Sequence, residues 1–128
     1  MSTVTELFGP PIATYTRAQA LQDGVLVDMT RKVRELELRS PFKVHLACTP
    51  KVWAWIEPTA AEIRLGQSVR GRLHDTLIMM LFSARQGREE VTVIYLRGGK
   101  HCHVQMKARN HPGDEGEHVI TLTLADED

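Results

Sequence analysis

Apolar and polar residues alternate on both sides of Gly98-Gly99, and this pattern predicts a β-hairpin. A two-residue loop fixes the strand register, so residues equidistant from the loop face each other. The predicted pairs are Leu96–His101, Tyr95–Cys102, Ile94–His103, Val93–Val104, Thr92–Gln105 and Val91–Met106. Because side chains alternate along a strand, the pattern separates two faces. The apolar face comprises Val91, Val93, Tyr95, Cys102, Val104 and Met106, and the polar face comprises His101, His103, Gln105, Lys107 and Arg109.

Capping residues predict three short helices before the hairpin. Thr16 and Gln19 have the spacing of a capping box, and Thr30 is a second cap residue. Thr49-Pro50 places a cap ahead of proline at the first helical position. The predicted helices cover residues 17–23, 31–38 and 50–56, and residues 59–67 are predicted to be a connection.

A long helix over residues 68–86 is predicted from apolar residues at helical spacing. It is apolar all round from residue 77 to 82, so we expect it to be the central buried helix. Further strands are predicted at residues 25–29, 42–48 and 119–125. The fold class is α+β: an antiparallel sheet with a late three-stranded meander packs against the long helix and the short N-terminal helices, with the helices on one sheet face.

The length of 128 residues fits one domain. We expect an extended arm over residues 1–14, which contain Gly9-Pro10-Pro11, and a single domain over residues 15–128. The longest apolar run is residues 77–82, which is too short for a membrane span, and the N-terminus lacks the pattern of a signal peptide. We therefore expect a cytoplasmic protein without a membrane partner, in which Cys48 and Cys102 are reduced and structural.

The charge is zero overall but unevenly distributed. Residues 65–109 carry eight basic and three acidic side chains, whereas residues 110–128 carry six acidic side chains and no Lys or Arg. Such asymmetry is compatible with a nucleic-acid surface, but a neutral total weakens long-range attraction to phosphates. We favour two oppositely charged segments that fold near each other, and we do not expect nucleic-acid binding by this chain alone.

Several residue clusters raise the possibility of chemistry. His101 and His103 point the same way on a strand and would need His111 or His118 to complete a metal site, so a solvated or partner-facing pair is favoured. The acidic residues 113–117 lack the ligand spacing of a calcium loop, and a solvated loop is favoured. No metal or other cofactor is expected.

Catalytic pairs are equally weak in the sequence. Cys48 precedes a predicted helix, where its thiol would be activated, but it is in phase with core residues and out of phase with His45. Asp23 and Asp28 are close enough in sequence for acid–base chemistry, but a helix end and a strand end explain them better.

Trp53 and Trp55 lie about 200° apart on the predicted helix, so both cannot face one core. Trp53 shares the side of Val52 and Ile56 and is expected to be buried. Trp55 is expected at the rim or exposed, where it would serve as an interface anchor. The alternative is that a second core under the loop at residues 59–67 covers it.

Residues 15–28 (YTRAQALQDGVLVD) and 113–122 (GDEGEHVITL), with the acidic end at residues 126–128, carry a family resemblance. They resemble a family of small uncharacterised proteins, a domain of unknown function, encoded on bacterial plasmids and phages. Residues 49–53 and the long helix follow in the expected order. The resemblance implies a mobile-element origin and assigns no catalytic residues. His101-Cys102-His103 lies outside the family pattern.

We therefore expect a non-enzymatic binding protein of a phage or plasmid, whose partner is a host protein or protein complex. In its most specific form, this expectation is a protein that sterically inhibits a host defence complex, such as an anti-CRISPR protein acting on a CRISPR effector. The alternatives are a small nucleotide-handling enzyme resembling ADP-ribosyltransferases and a nucleic-acid-binding accessory protein; a homo-oligomer also stays open. The expected partner-binding residues are Trp55, His101, His103, Gln105, Lys107 and Arg109.

Overall fold

The computed structural model describes residues 15–127, so the predicted arm over residues 1–14 lies outside the described residues. The helices are α1 (Arg17–Asp23), α2 (Met29–Glu35), α3 (Pro50–Ile56), α4 (Ala60–Arg64) and α5 (Val69–Arg85). The strands are β1 (Val27–Asp28), β2 (His45–Cys48), β3 (Glu90–Arg97), β4 (Lys100–Pro112) and β5 (His118–Leu124). Among residues 15–127, no helix is both long and apolar enough to cross a bilayer.

The five strands form one sheet in the order β1-β2-β5-β4-β3. The late meander β3–β4–β5 is antiparallel as predicted, and α5 packs on the sheet, which confirms the α+β class. The sheet is mixed rather than antiparallel throughout, because β2 and β5 run parallel. A parallel pair needs a long crossover, and here α3, α4, α5 and two strands provide it.

The register of the β3–β4 hairpin matches the prediction at every pair from Val91–Met106 to Leu96–His101. Gly98 and Gly99 both have positive φ, 61° and 74°, as a tight two-residue turn of type I′ requires. The predicted apolar face is the inner face of the sheet, where all of its residues are buried except the half-buried Cys102.

The core lies between this inner face and the helices. Leu73, Leu77 and Met80 of α5 pack in one buried cluster with residues of β3, β4 and β5 and with α2 and α3. The expectation that α5 is buried all round is wrong, because Ile78 and Phe82 are 47% and 57% exposed. Only one side of the helix faces the sheet, and in residues 15–127 no element covers the other side at these positions.

Local hydrogen bonds correct three boundaries. Asp28 rather than Thr30 caps α2, since its carboxylate accepts the N–H of Arg31, and β1 is accordingly only two residues long. The Thr30 hydroxyl instead accepts the N–H of Leu46 in β2. The segment predicted as a connection contains α4, which begins with a capping box between Thr59 and Glu62.

Not all helices lie on the inner face. The Arg17 side chain of α1 contacts His45 of β2 and Thr121 of β5, which point to the opposite, outer face. α1 therefore covers the β2–β5 part of the outer face. The β3–β4 part carries the predicted polar residues and leaves most of them exposed.

Candidate protein-binding surface

The outer face of the β3–β4 hairpin presents the polar residues that the sequence singled out. His101, His103, Gln105 and Arg109 are exposed and Lys107 is half-buried. They occupy every second position of β4 and so form a single row, in which successive residues are about 6.6 Å apart.

The tip of the hairpin extends past the end of the neighbouring strand β5. β5 ends at Leu124, which pairs with Met106, and the N–H of Ala125 donates a last bond of 2.8 Å to the carbonyl of Gln105. The N–H and C=O groups of His101 and His103 point away from β3, because hydrogen-bonded pairs alternate in an antiparallel ladder. Within residues 15–127, no backbone group pairs with them on that side.

A hollow of about 350 Å³ lies beside this open stretch of β4. It brings together three of the six predicted contact residues, Trp55, His103 and Gln105. The remaining lining residues are Val104, Leu124, Ala125 and Asp126. Lys107 and Arg109 lie further along the same row of β4, and His101 lies nearer the turn. We call this stretch of β4 and its hollow the hairpin hollow.

Trp55 is held in place by a stack of side chains. Its ring lies 6.0 Å from that of Tyr95 at an interplanar angle of 21°, and the Arg97 guanidinium lies 4.7 Å from its centroid. Trp55 is therefore half-buried, and so is Trp53, whose ring lies 5.4 Å from the Lys32 ammonium. The sequence distinguished a buried Trp53 from a rim or exposed Trp55, but both pack against the core.

A buried carboxylate fixes the arginine above Trp55. Glu62 lies 3.2 Å from Arg72 and 3.3 Å from Arg97, and it also accepts the N–H of Thr59. The Thr59 backbone bond and the two arginines lower the pKa of Glu62 from 4.5 to about 2. Arg72 continues the network to the carbonyl of Trp55. Glu62 and both arginines therefore position the aromatic wall of the hairpin hollow.

A second polar cluster lies on the outer face beneath α1, and sequence reasoning missed it. Asp28 Oδ1 is 2.9 Å from His45 Nε2, and Arg17 donates to the other ring nitrogen, Nδ1, at 3.2–3.3 Å. Since arginine can only donate, Nδ1 is unprotonated and Nε2 donates to Asp28. Both nitrogens of His45 are thus engaged. The sequence marked Asp28 and His45 separately, and only the antiparallel β1–β2 pairing brings them together.

Arg17 makes three further contacts in this cluster, one of them at 3.5 Å to Nε2 of His111. Its guanidinium donates to the Thr121 hydroxyl at 2.6 Å and to the carbonyl of Ile120 at 3.1 Å. Thr121 is in turn 2.8 Å from Nε2 of His111. Every polar side chain of this cluster is therefore hydrogen-bonded to another described residue of the chain. Such a network stabilises the fold.

The structure also shows where the cysteine and histidine side chains considered for catalysis and metal binding lie. Cys48 is fully buried, and burial raises the pKa of its thiol to about 12, so it carries no thiolate at neutral pH. His111 and His118, the possible additional metal ligands for His101 and His103, lie at the other end of β4. Over residues 15–127, no three His, Cys, Asp or Glu side chains are close enough together to hold a metal ion.

The acidic loop after β4 has a structural role that the sequence did not indicate. Asp114 accepts the backbone N–H groups of Arg17 and Ala18, and these bonds lower the pKa of its carboxyl. Neighbouring Glu117 accepts the N–H of Glu115 within the loop. Asp114 therefore ties the loop to the first turn of α1.

A separate cleft of about 450 Å³ opens at the inner-face end of β4. Its apolar wall includes Phe42, Val44 and Met80, and its polar pair is His118 and Asn110, which are hydrogen-bonded at 2.7 Å. None of the six predicted contact residues lines this cleft.

Comparisons of the chain with protein-family models, with curated proteins and with solved structures give no match.

Proposed function

We propose that this protein is a non-enzymatic binding protein that docks on a host protein or protein complex through the hairpin hollow. The observation that carries the proposal is the open stretch at His101 and His103, where unpaired backbone groups adjoin Trp55 and an exposed polar row. Such a stretch accepts an extended segment of a partner by strand addition, with side chains providing selectivity.

The charge of the surface favours an acidic partner segment. Lys100 precedes the open stretch, and Lys107 and Arg109 follow it on the same strand, while Asp126 is the acidic residue in the lining. Opposite charges on a partner accelerate association and fix its orientation. A rigid Trp55, already stacked on Tyr95, offers apolar contact without losing side-chain freedom on binding.

The finer form of the proposal takes its support from the sequence resemblance to plasmid and phage proteins. The partner would then be a host defence complex such as a CRISPR effector, which the protein would inhibit by covering one of its surfaces. A surface of this kind needs no catalytic group, and the candidate groups on the outer face, Asp28 and His45, are engaged in structural bonds.

The test is a matched pair of double variants in a direct binding assay. Partners are trapped in cells by chemical crosslinking and identified by mass spectrometry, and the strongest is purified for titration. We expect His103→Ala with Gln105→Ala to raise the Kd at least about tenfold. Gln22→Ala with Gln86→Ala, both exposed and remote from the hollow, should leave it unchanged. A partner whose Kd is the same for both variants would contradict the proposal.

The defence-inhibitor form has its own assay. In cells whose CRISPR effector targets a plasmid, expression of the native protein should restore transformation, and the hollow double variant should restore less. If the native protein gives no protection, that form is rejected, whereas the binding proposal is judged by the titration alone.

A further inference from the structure

The inner face of the sheet extends beyond the end of α5. β3 starts at Glu90, whereas β4 continues to Pro112 and there, among residues 15–127, pairs with β5 alone. α5 ends at Arg85 and reaches this corner with Met80 and Ala84. The last part of β4 and the start of β5 therefore leave a recess on the inner face.

This recess is the cleft of about 450 Å³ at the end of β4, and we call it the β4-end cleft. Its base is formed by Met80, Ala108 and Ile120, which are buried members of the core. Phe42 and Val44, half-buried in the segment that leads into β2, form its apolar side. A cleft of this size with an apolar base is typical of small-molecule sites.

Charged side chains at the mouth of the cleft carry a net positive charge. Lys43, Arg88 and Glu89 are exposed there, which gives two cations against one carboxylate. No ion pair within residues 15–127 involves any of the three. The carboxylates of Asp114 and Glu117 belong to the other side of the sheet, where they line a hollow beneath α1. The charge of the β4-end cleft therefore favours an anion.

The lining of the cleft also includes a hydrogen-bond donor that the protein leaves unused. The side-chain carbonyl of Asn110 accepts Nε2–H of His118 at 2.7 Å, and its amide nitrogen donates to the Ala108 carbonyl at 3.4 Å. A side-chain amide has two N–H groups, so the second has no partner among the described residues. The β4-end cleft therefore offers an anionic oxygen both positive charge and a directed hydrogen bond.

We propose that the β4-end cleft binds a small amphipathic carboxylate, with the apolar body of the ligand against Phe42 and Met80 and its carboxylate between Lys43 and Arg88. A carboxylate carries one negative charge and so balances the net charge of the mouth, and its oxygens accept the free N–H of Asn110. A neutral head group would leave both cations uncompensated, and a cationic one would be repelled. The cleft shares no lining residue with the hairpin hollow, so this site is independent of the proposed partner surface.

The first test locates the site by titrating the full chain with octanoate and following its backbone amide signals by NMR. We expect saturable shifts at Ala84, Ala108 and Ile120, with a Kd below about 1 mM. Ala84→Leu fills the cleft from an exposed helix position and should raise this Kd at least about tenfold. Gln86→Leu, also exposed but outside the lining, should retain the native Kd. Absence of saturable shifts, or equal Kd values for the two variants, would overturn the proposal.

The second test compares head groups on one apolar chain. The Kd for octanol should be at least about fivefold higher than that for octanoate, and octylamine should bind more weakly still. Lys43→Gln with Arg88→Gln should raise the Kd for octanoate at least about fivefold and leave that for octanol unchanged. Lys51→Gln with Arg64→Gln removes the same charge from exposed positions outside the lining and should change neither Kd. Equal affinity for octanoate and octanol, or equal effects of the two double variants, would overturn the assignment of a carboxylate.

Discussion

The carboxylate of Asp114, in the loop between β4 and β5, accepts the backbone N–H of Arg17 at 2.7 Å. It also accepts the N–H of Ala18 at 3.0 Å, so it satisfies two of the donors that the first turn of a helix leaves free. The side chain of Arg17 then crosses to Thr121 and the Ile120 carbonyl. The backbone N–H and the guanidinium of Arg17 thus both attach α1 to the outer side of the sheet, the first through the β4–β5 loop and the second through β5.

Asp114→Asn should loosen α1 without unfolding the sheet, because the uncharged amide is a weaker acceptor for two N–H donors. We expect amide hydrogen exchange over Arg17–Asp23 to accelerate at least about tenfold, with β3 and β4 unchanged. Glu115→Gln, in the same exposed loop, is the control. Equal protection of α1 in the two variants would show that Asp114 does not hold the helix.

Glu62 should make stability depend on pH in the acid range. Its pKa is lowered from 4.5 to about 2 in the folded protein, so its charge stabilises the fold fully above 4.5 and this contribution is lost as pH falls towards 2. Glu62→Gln should therefore have a lower melting temperature than the native protein at neutral pH. This difference in melting temperature should narrow between pH 4.5 and 2. A difference that stays constant across this range would mean that the carboxylate contributes nothing through its charge.

The hairpin register can be tested by one substitution on each face. Val104 is 8% exposed on the inner face, whereas Gln105 is exposed on the outer face. Val104→Asp buries a charge and should lower the free energy of unfolding by about 3 kcal/mol or more. Gln105→Asp should change it by no more than about 0.5 kcal/mol. Thermal denaturation followed by circular dichroism distinguishes these outcomes, and similar melting temperatures would contradict the two-face assignment.

Local signals explain what was predictable from the sequence. The Gly-Gly turn determines every pair of the β3–β4 hairpin, and cap residues give the bounds of α1 and α3 as observed. α4 was predictable in the same way, since Thr59 and Glu62 have the spacing of a capping box. The parallel β2–β5 pair was not, because it joins segments that are distant in sequence and carry no shared pattern.

The candidate site was predictable only in part. Alternation identified His103 and Gln105, but their meeting with Trp55 depends on where β5 ends relative to β4. The network of Arg17, His45 and Asp28 required tertiary structure for the same reason. The exposure of Ile78 and Phe82 was mispredicted because a uniformly apolar helix segment does not show which side faces the sheet.

Trp55 and Trp53 should contribute similarly to stability, contrary to the difference that their helical spacing indicates. Each is half-buried against the core, Trp53 beneath Lys32 and Trp55 between Tyr95 and Arg97. Truncation of either to alanine should cost about 2 to 4 kcal/mol, somewhat less than for a fully buried tryptophan.

The measurement is urea denaturation of Trp53→Ala and Trp55→Ala, with Trp55→Phe as the variant that keeps an aromatic ring on Tyr95. We expect Trp55→Phe to recover at least half of the loss, because the ring stack and the arginine contact need a flat aromatic face. Iodide quenching of the native protein should report two comparably shielded indoles. If Trp55→Ala were as stable as the native protein while Trp53→Ala was destabilised, Trp55 would not be a fixed wall of the hairpin hollow. Its role in partner binding would then rest on an exposed, mobile ring.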